Sequence, residues 1–289
     1  MLKIYTDTDV DITKKEAEYY GFKLISMPYI INDVEVKPYV DFEEFDYHTF
    51  YDILRTGVVP KTCAISPEAY REYFIDDFKN GNDIIYVHFS SAMSGTFNAL
   101  NIAIQELKEE YPNATFNTID TLGISILCLN IVKEVGKMYL EGKNKDEILE
   151  WAKEHVPHYA TYFYADNLDF FAKSGRVSNF SKFFGNLIGI KPIIYLNPEG
   201  KMINLAKERG ANKALRKLLE YYDTLAIEKY DHRIIIGHTD ALDKAQKLAN
   251  MLIERYGDKL NIEYSVVNPT IGSHCGPDCV GISFYAKHK

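Results

Sequence analysis

The sequence predicts an α/β protein of two domains, an N-terminal, mainly parallel α/β/α sheet domain over residues 1–157 and a C-terminal α+β domain over residues 158–289. Three observations predict it. The chain has 289 residues, more than one hydrophobic core usually serves. Through the first half, strand-like and helix-like patterns alternate, as they do where crossover helices join parallel strands. Beyond Thr161 the alternation loosens into strands arranged around two long amphipathic helices.

Taken in order, Leu2 to Thr6 reads as a first strand and Thr13 to Tyr20 as a helix that Thr13 introduces. Pro28 to Val36 reads as a hairpin turning at Asn32-Asp33, followed by an aromatic-rich helix starting at Asp41. This segment, 28–60, is a candidate to pack on the second domain. Ser66-Pro67-Glu68 spells a helix start, with Ser66 as cap and Pro67 in the first turn. Asp83 to Val87 is apolar and β-branched, and Leu100, Ala103, Ile104 and Leu107 recur just beyond at helical spacing. Phe116 to Asp120 is a strand, Leu127 to Leu140 a helix, and another helix follows Glu141 to Lys145. In the second half, Thr161 to Tyr164, Lys191 to Leu196, Arg233 to Ile236 and Ile262 to Val267 read as strands, with helices near Ala211 to Tyr222 and Leu242 to Tyr256.

Between the strand ending near Phe89 and its helix lies Ser90-Ser91-Ala92-Met93-Ser94-Gly95-Thr96. Unpaired N–H groups, the positive end of a helix dipole and several hydroxyls would meet there, which suits an anion. Ligands of parallel sheets sit beyond the carboxyl ends of the strands, so Asp7, Ser94 and Asp120 are each placed to face one crevice.

Composition narrows the partners. A hydrophobic content of 46% and a charged content of 26% describe an ordinary globular chain. A net charge of −8 without a long basic run argues against nucleic acid and against an anionic membrane as partner. The longest apolar stretch, Leu122 to Val132, is too short to span a bilayer, so no integral membrane protein is expected. The N-terminus opens directly on a strand, which makes the cytoplasm the expected compartment. There are four cysteines, Cys63, Cys128, Cys275 and Cys279, expected as thiols. Cys275 and Cys279 beside His274 form half of a zinc pattern at most, and no metal is expected.

Two catalytic readings compete with simple binding. Asp7-Thr8-Asp9-Val10 fits the D-x-D-x-[T/V] spelling of magnesium-dependent phosphotransferases, with Ser90 and the pair Asp240 and Asp243 as further parts. The plainer reading makes these acids turn formers and caps. Ser94, then Asp120 or Asp166, then His274 follow the chain order of an α/β-hydrolase triad. The G-x-S-x-G elbow is not met, because Ala92 and Thr96 occupy the flanking positions.

Taken together, the motifs resemble the DegV family of fatty-acid-binding proteins. The matching residues are Tyr5-Thr6-Asp7-Thr8, Thr62 with Ser66-Pro67, Ser90 to Thr96, Ile119-Asp120-Thr121, Lys173-Ser174-Gly175-Arg176-Val177, Lys191-Pro192-Ile193, Arg209 to Ala214 and Ile271-Gly272-Ser273-His274-Cys275-Gly276-Pro277. The resemblance implies one long-chain fatty acid between the two domains and no other cofactor. Its carboxylate would be held by Thr62 and Ser94, with Gly95 and His274 nearby. It also implies a carrier that is not itself an enzyme, and in some members an ATP-dependent fatty acid kinase that docks at the residues matching Arg176 and His274. Candidates for the tail tunnel are Ile124, Leu127, Leu129, Phe163, Phe170, Phe171, Phe180, Phe183, Phe184, Leu187 and Ile188.

Overall fold

In the computed structural model, which describes residues 1–175, 177–178 and 189–289, the chain folds as two α/β units built on separate sheets. In chain order the elements are β1 (Leu2–Asp7), α1 (Lys14–Tyr20), β2 (Phe22–Ile25), β3 (Tyr29–Ile31), β4 (Val34–Val36), α2 (Tyr47–Arg55), β5 (Lys61–Thr62), α3 (Pro67–Lys79), β6 (Asp83–His88), α4 (Thr96–Glu110), β7 (Thr115–Asp120), α5 (Ile126–Leu140) and α6 (Lys145–His155). They continue with β8 (Tyr159–Tyr164), α7 (Leu168–Ser174), β9 (Val177–Ser178), β10 (Ile190–Leu196), β11 (Met202–Arg209), α8 (Ala211–Leu225), β12 (Ile234–His238), α9 (Leu242–Tyr256), β13 (Ile262–Val266), α10 (Pro269–Cys275) and β14 (Val280–Tyr285).

The first sheet has four strands in the order β2-β1-β6-β7, all parallel. Its central strands are buried almost throughout, as parallel strands covered by helices must be. Among the described residues the second sheet has seven strands in the order β13-β12-β14-β8-β10-β11-β9 and is mixed, with β12 parallel to β13, β9 parallel to β11 and antiparallel pairs between. The hairpin is present: β3 and β4 pair antiparallel around Asn32 and Asp33, whose φ of 50° and 61° give the twist that a two-residue turn needs. A third small sheet, β4-β3-β5, brings Thr62 opposite Tyr29.

Helix α5 joins the two large sheets. Most of its residues, from Ile126 to Gly136, are buried, so it is apolar on nearly every side, as a helix between two layers must be. It packs on β8, β12 and β14 of the mixed sheet and on α1 of the first unit. Two glycines make room for it. Gly237 and Gly281 are paired across β12 and β14, and a Cβ at Gly237 would lie 2.5 Å from Ile126 Cγ2. Charged residues close the same interface at its rim: Lys133 pairs with Glu16 at 2.8 Å and Glu263 at 2.6 Å, and Arg233 pairs with Glu134 at 3.1 Å.

The 28–60 segment contacts the later part of the chain. Tyr51 donates to the carbonyl of Val267 at 2.8 Å, and Arg55 pairs with Asp240 at 2.6 Å. Tyr29, Phe50, Tyr51 and Leu54 form a small core with Phe170. The helix expected at Asp41 starts instead at Tyr47, capped by Asp46. Asp41 is used locally, accepting from the Lys37 N–H at 2.6 Å to close a turn, and this leaves it unavailable as a helix cap.

Candidate functional site

Where the carboxyl ends of the parallel strands meet the mixed sheet there is a cavity with about 980 Å³ of atom-free space, part of it open to solvent. From the first unit it is lined by Asp9 after β1, Met27 after β2, Phe89, Met93 and Ser94 after β6, and Ile124, Ser125 and Ile126 at the start of α5. This is where a parallel sheet is expected to present its ligand. Thr161, Phe163, Leu196, Met202, Val280 and Gly281 close the cavity from the mixed sheet, and Thr270, Ile271, His274 and Cys275 from α10. Its lining is mostly apolar, and no lysine or arginine is among the described residues that form it.

Three of the residues expected to hold an anion line this cavity: Thr62, Ser94 and His274. Thr62 Oγ1 lies 3.1 Å from His274 Nε2, which joins β5 to α10 across the cavity mouth. His274 has a glycine two residues before it and another two after it, at Gly272 and Gly276. It lies on the short helix α10, capped by Asn268, which ends at Gly276 with φ 71°, where a Cβ would meet the Phe170 ring at 2.4 Å. Ser94 stands in extended conformation between a turn over Ser91–Met93 and α4, and its Oγ accepts from the Thr96 N–H at 3.2 Å. Gly95 does not line the cavity; it is the residue before α4, with open space where a side chain would be. Arg176, the expected docking residue, lies outside the described residues.

Asp7, Ser94 and Asp120 do not share one crevice. Asp7 is fully buried, accepting from the Tyr86 hydroxyl at 2.9 Å and the Asp9 N–H at 3.0 Å, so it caps the Thr8–Val10 turn. Asp120 accepts from the Ser91 hydroxyl at 2.5 Å and the Leu122 N–H at 2.8 Å, which holds the loop behind Ser94. Only Ser94 of the three reaches the cavity.

Several parts of the two catalytic readings are committed elsewhere. Asp166 pairs with Lys191 at 2.6 Å and Asp120 with Ser91, so both acid candidates for a triad have other partners. Ser90 donates to the Gly200 carbonyl at 2.8 Å and Asp240 pairs with Arg55, away from Asp7. Cys279 Sγ donates to the Cys275 carbonyl at 3.2 Å, and burial pushes its thiol up to about 12. Among the described residues no group of three or more His, Cys, Asp or Glu could hold a metal ion. Among them, too, no helix is long and apolar enough to cross a membrane.

Of the residues expected along a tail, Ile124 and Phe163 line the cavity. Leu127 and Phe171 belong to the first core, Phe170 to the small core near Tyr51, and Leu129 faces a separate cleft near Tyr39 and Tyr264. Phe180, Phe183, Phe184, Leu187 and Ile188 lie outside the described residues. Sequence reasoning missed Met27, Met93, Met202, Leu196 and Ile271, and also Asp9 as a wall residue.

A two-unit α/β chain with a partly open, mostly apolar cavity at the unit boundary belongs to the class of small-molecule binders. The family model described as "Uncharacterised protein, DegV family" matches residues 1–287, and the chain belongs to the DegV family. It is 32% identical to a DegV domain-containing protein of Clostridium perfringens, over 99% of this chain and 98% of that one. Among solved structures it is similar to a fatty acid binding DegV family protein from Streptococcus agalactiae, at 26% identity and a TM-score of 0.84, covering 100% of this chain and 99% of that chain. It has the fold of a DegV lipid binding protein from Thermotoga maritima, at 24% identity, a TM-score of 0.82 and the same coverage.

Proposed function

We propose that this chain binds one long-chain fatty acid, with the acyl tail in the cavity and the carboxylate among Thr62, Ser94 and His274, as a carrier rather than a catalyst. On this reading the chain divides near residue 157 and the acid lies between the two domains. One observation carries the proposal: a mostly apolar cavity has three neutral hydrogen-bonding side chains, Thr62, Ser94 and His274, in its wall. Thr62, Ser94 and His274 are partly exposed, whereas Ile124, Ile126 and Val280 in the same wall are buried.

That polarity fits an amphiphile entering tail first. A tail of about sixteen carbons gains on the order of 10 kcal/mol by leaving water, at ~0.8 kcal/mol per CH₂, before the entropic costs of binding. The head group would be costly to bury unpaired, and neutral donors at the mouth replace part of its water. Neutral donors also leave the carboxylate uncovered by any bidentate arginine clamp. A phosphoryl donor from outside could then reach it, which supports presentation to a separate ATP-dependent kinase, with Arg176 and His274 as the candidate docking residues.

The test is a chain-length series. Lipid-stripped protein is titrated with saturated fatty acids of increasing length, and the thermal midpoint reports binding. Affinity is expected to rise roughly threefold to fourfold per added CH₂ until the cavity is full, then level off. No dependence on length, or equal binding of short-chain acids, would refute burial of the tail.

A further inference from the structure

Asp9 is not explained by holding an anion. It lines the cavity, its residue exposure is 6%, and its Oδ1 is buried with no hydrogen-bond partner. Its neighbours in the turn are satisfied: Asp7 by Tyr86 and the Asp9 N–H, Asp11 by the Asn268 N–H at 2.8 Å and the Ser125 hydroxyl. The backbone of Asp9 is also fixed, because its carbonyl accepts from the Ser125 N–H at 2.9 Å. Of the three acids only Asp9 lines the cavity, and its Oδ1 has no donor.

An unpartnered buried carboxyl beside two other acids is far cheaper as the neutral acid than as a carboxylate. A neutral carboxyl is a hydrogen-bond donor, and a donor in an apolar cavity needs an acceptor. On the fatty-acid reading above, the anionic head group supplies one. Asp9 lines the same cavity as Thr62, Ser94 and His274.

We infer that Asp9, as a neutral carboxylic acid, donates its proton in a hydrogen bond to the bound fatty acid's carboxylate and makes its retention pH-dependent. This rests on the proposed function and adds a third contact of a different kind to the hydroxyls of Thr62 and Ser94. No proton is transferred; two carboxyl groups share one proton, as like-charged carboxyls in a dry site do.

The titratable groups facing Asp9 are Asp7 and Asp11 on its own turn, Tyr70 on α3 and Tyr86 on β6. Across the cavity are Cys63, His274, Cys275 and Cys279. Burial raises Asp9 well above the ordinary carboxylate range, and the charges of Asp7 and Asp11 raise it further. An acid that must be protonated to bind loses ligand as pH rises, by up to tenfold per pH unit between its pKa in the free protein and in the complex.

The probes are palmitic acid labelled with ¹³C at its carboxyl and, as a control, hexadecanol, which has the tail but no anion. Affinity of the wild-type protein for palmitate is expected to fall at least tenfold between about pH 6 and about pH 9. Asp9→Asn, which keeps a donor of the same shape without a titrating proton, is expected to bind within about twofold across the same range. Asp9→Leu, which cannot donate, is expected to bind palmitate about tenfold more weakly than Asp9→Asn, with hexadecanol unaffected. Should Asp9→Leu fail to fold, the ¹³C carboxyl shift of palmitate on the wild-type protein is expected to step with pH and to lose that step in Asp9→Asn. If palmitate binds but the wild type and Asp9→Asn share one pH profile, this inference is wrong and the carrier reading stands. If neither palmitate nor hexadecanol binds at all, it is the carrier reading that fails, and this inference with it.

Discussion

Replacing Thr62 and Ser94 together with alanine is expected to weaken palmitate binding by on the order of a hundredfold, with little change in thermal stability of the empty protein. A hydrogen bond to a charged group contributes about 1.5–3 kcal/mol, and two are removed, although solvent at the partly open mouth replaces some of that. Thr62 makes its bond to His274 and Ser94 its bond to the Thr96 N–H at the edge of the structure, so neither hydroxyl anchors a core. Titration with palmitate and with hexadecanol separates the effects. Palmitate affinity should collapse toward that of the alcohol while hexadecanol binding is retained. Equal losses for both ligands would place the damage in the tail cavity and overturn the assignment of the head group.

The second large effect concerns stability. Burial lifts both Asp7 and Asp11 to about 7, against an ordinary carboxylate near 4. A raised acid leaves the folded state at full stability below the unfolded-state pKa, and that stability is lost as pH rises toward the folded pKa. The loss is about 1.4 kcal/mol per pH unit for each such group. Asp7→Asn removes one of them while keeping an acceptor for the Asp9 N–H that Asp7 now receives at 3.0 Å. Measured by urea unfolding between about pH 4 and about pH 7, the variant is expected to gain on the wild type steadily, by several kcal/mol over the range. Using the difference cancels the opposite contribution of acids such as Asp77, held low by Lys23, Tyr5 and Asn82 despite partial burial. Parallel pH profiles would show that Asp7 is not protonated in the fold.

Much of the fold was legible because its signals are local. Ser66 with Pro67 at the start of α3, the Asn32-Asp33 turn and the apolar run of β6 each have a mechanism contained in a few residues. The start of α2 was not, because Asp41 and Asp46 are equally good caps on paper and the Lys37 N–H claimed the first. At the site, the hydroxyls could be found because Thr62 and Ser94 stand at element boundaries, where side chains leave the core. The apolar wall could not. Val280 stands on a strand buried throughout, where alternation does not mark the cavity side, and Met202 is the one buried residue of β11. Asp9 carried no signal of its own, since D-x-D in a turn reads the same whether its second acid is a cap, a nucleophile or a lone donor.

The most direct measurement is native mass spectrometry of the protein purified from cells without added lipid, followed by solvent extraction and identification of whatever is released. The account predicts one long-chain fatty acid per chain, lost on extraction and restored by added palmitate. A chain that carries no lipid and takes up none, or one that releases a different class such as a phospholipid, would contradict it.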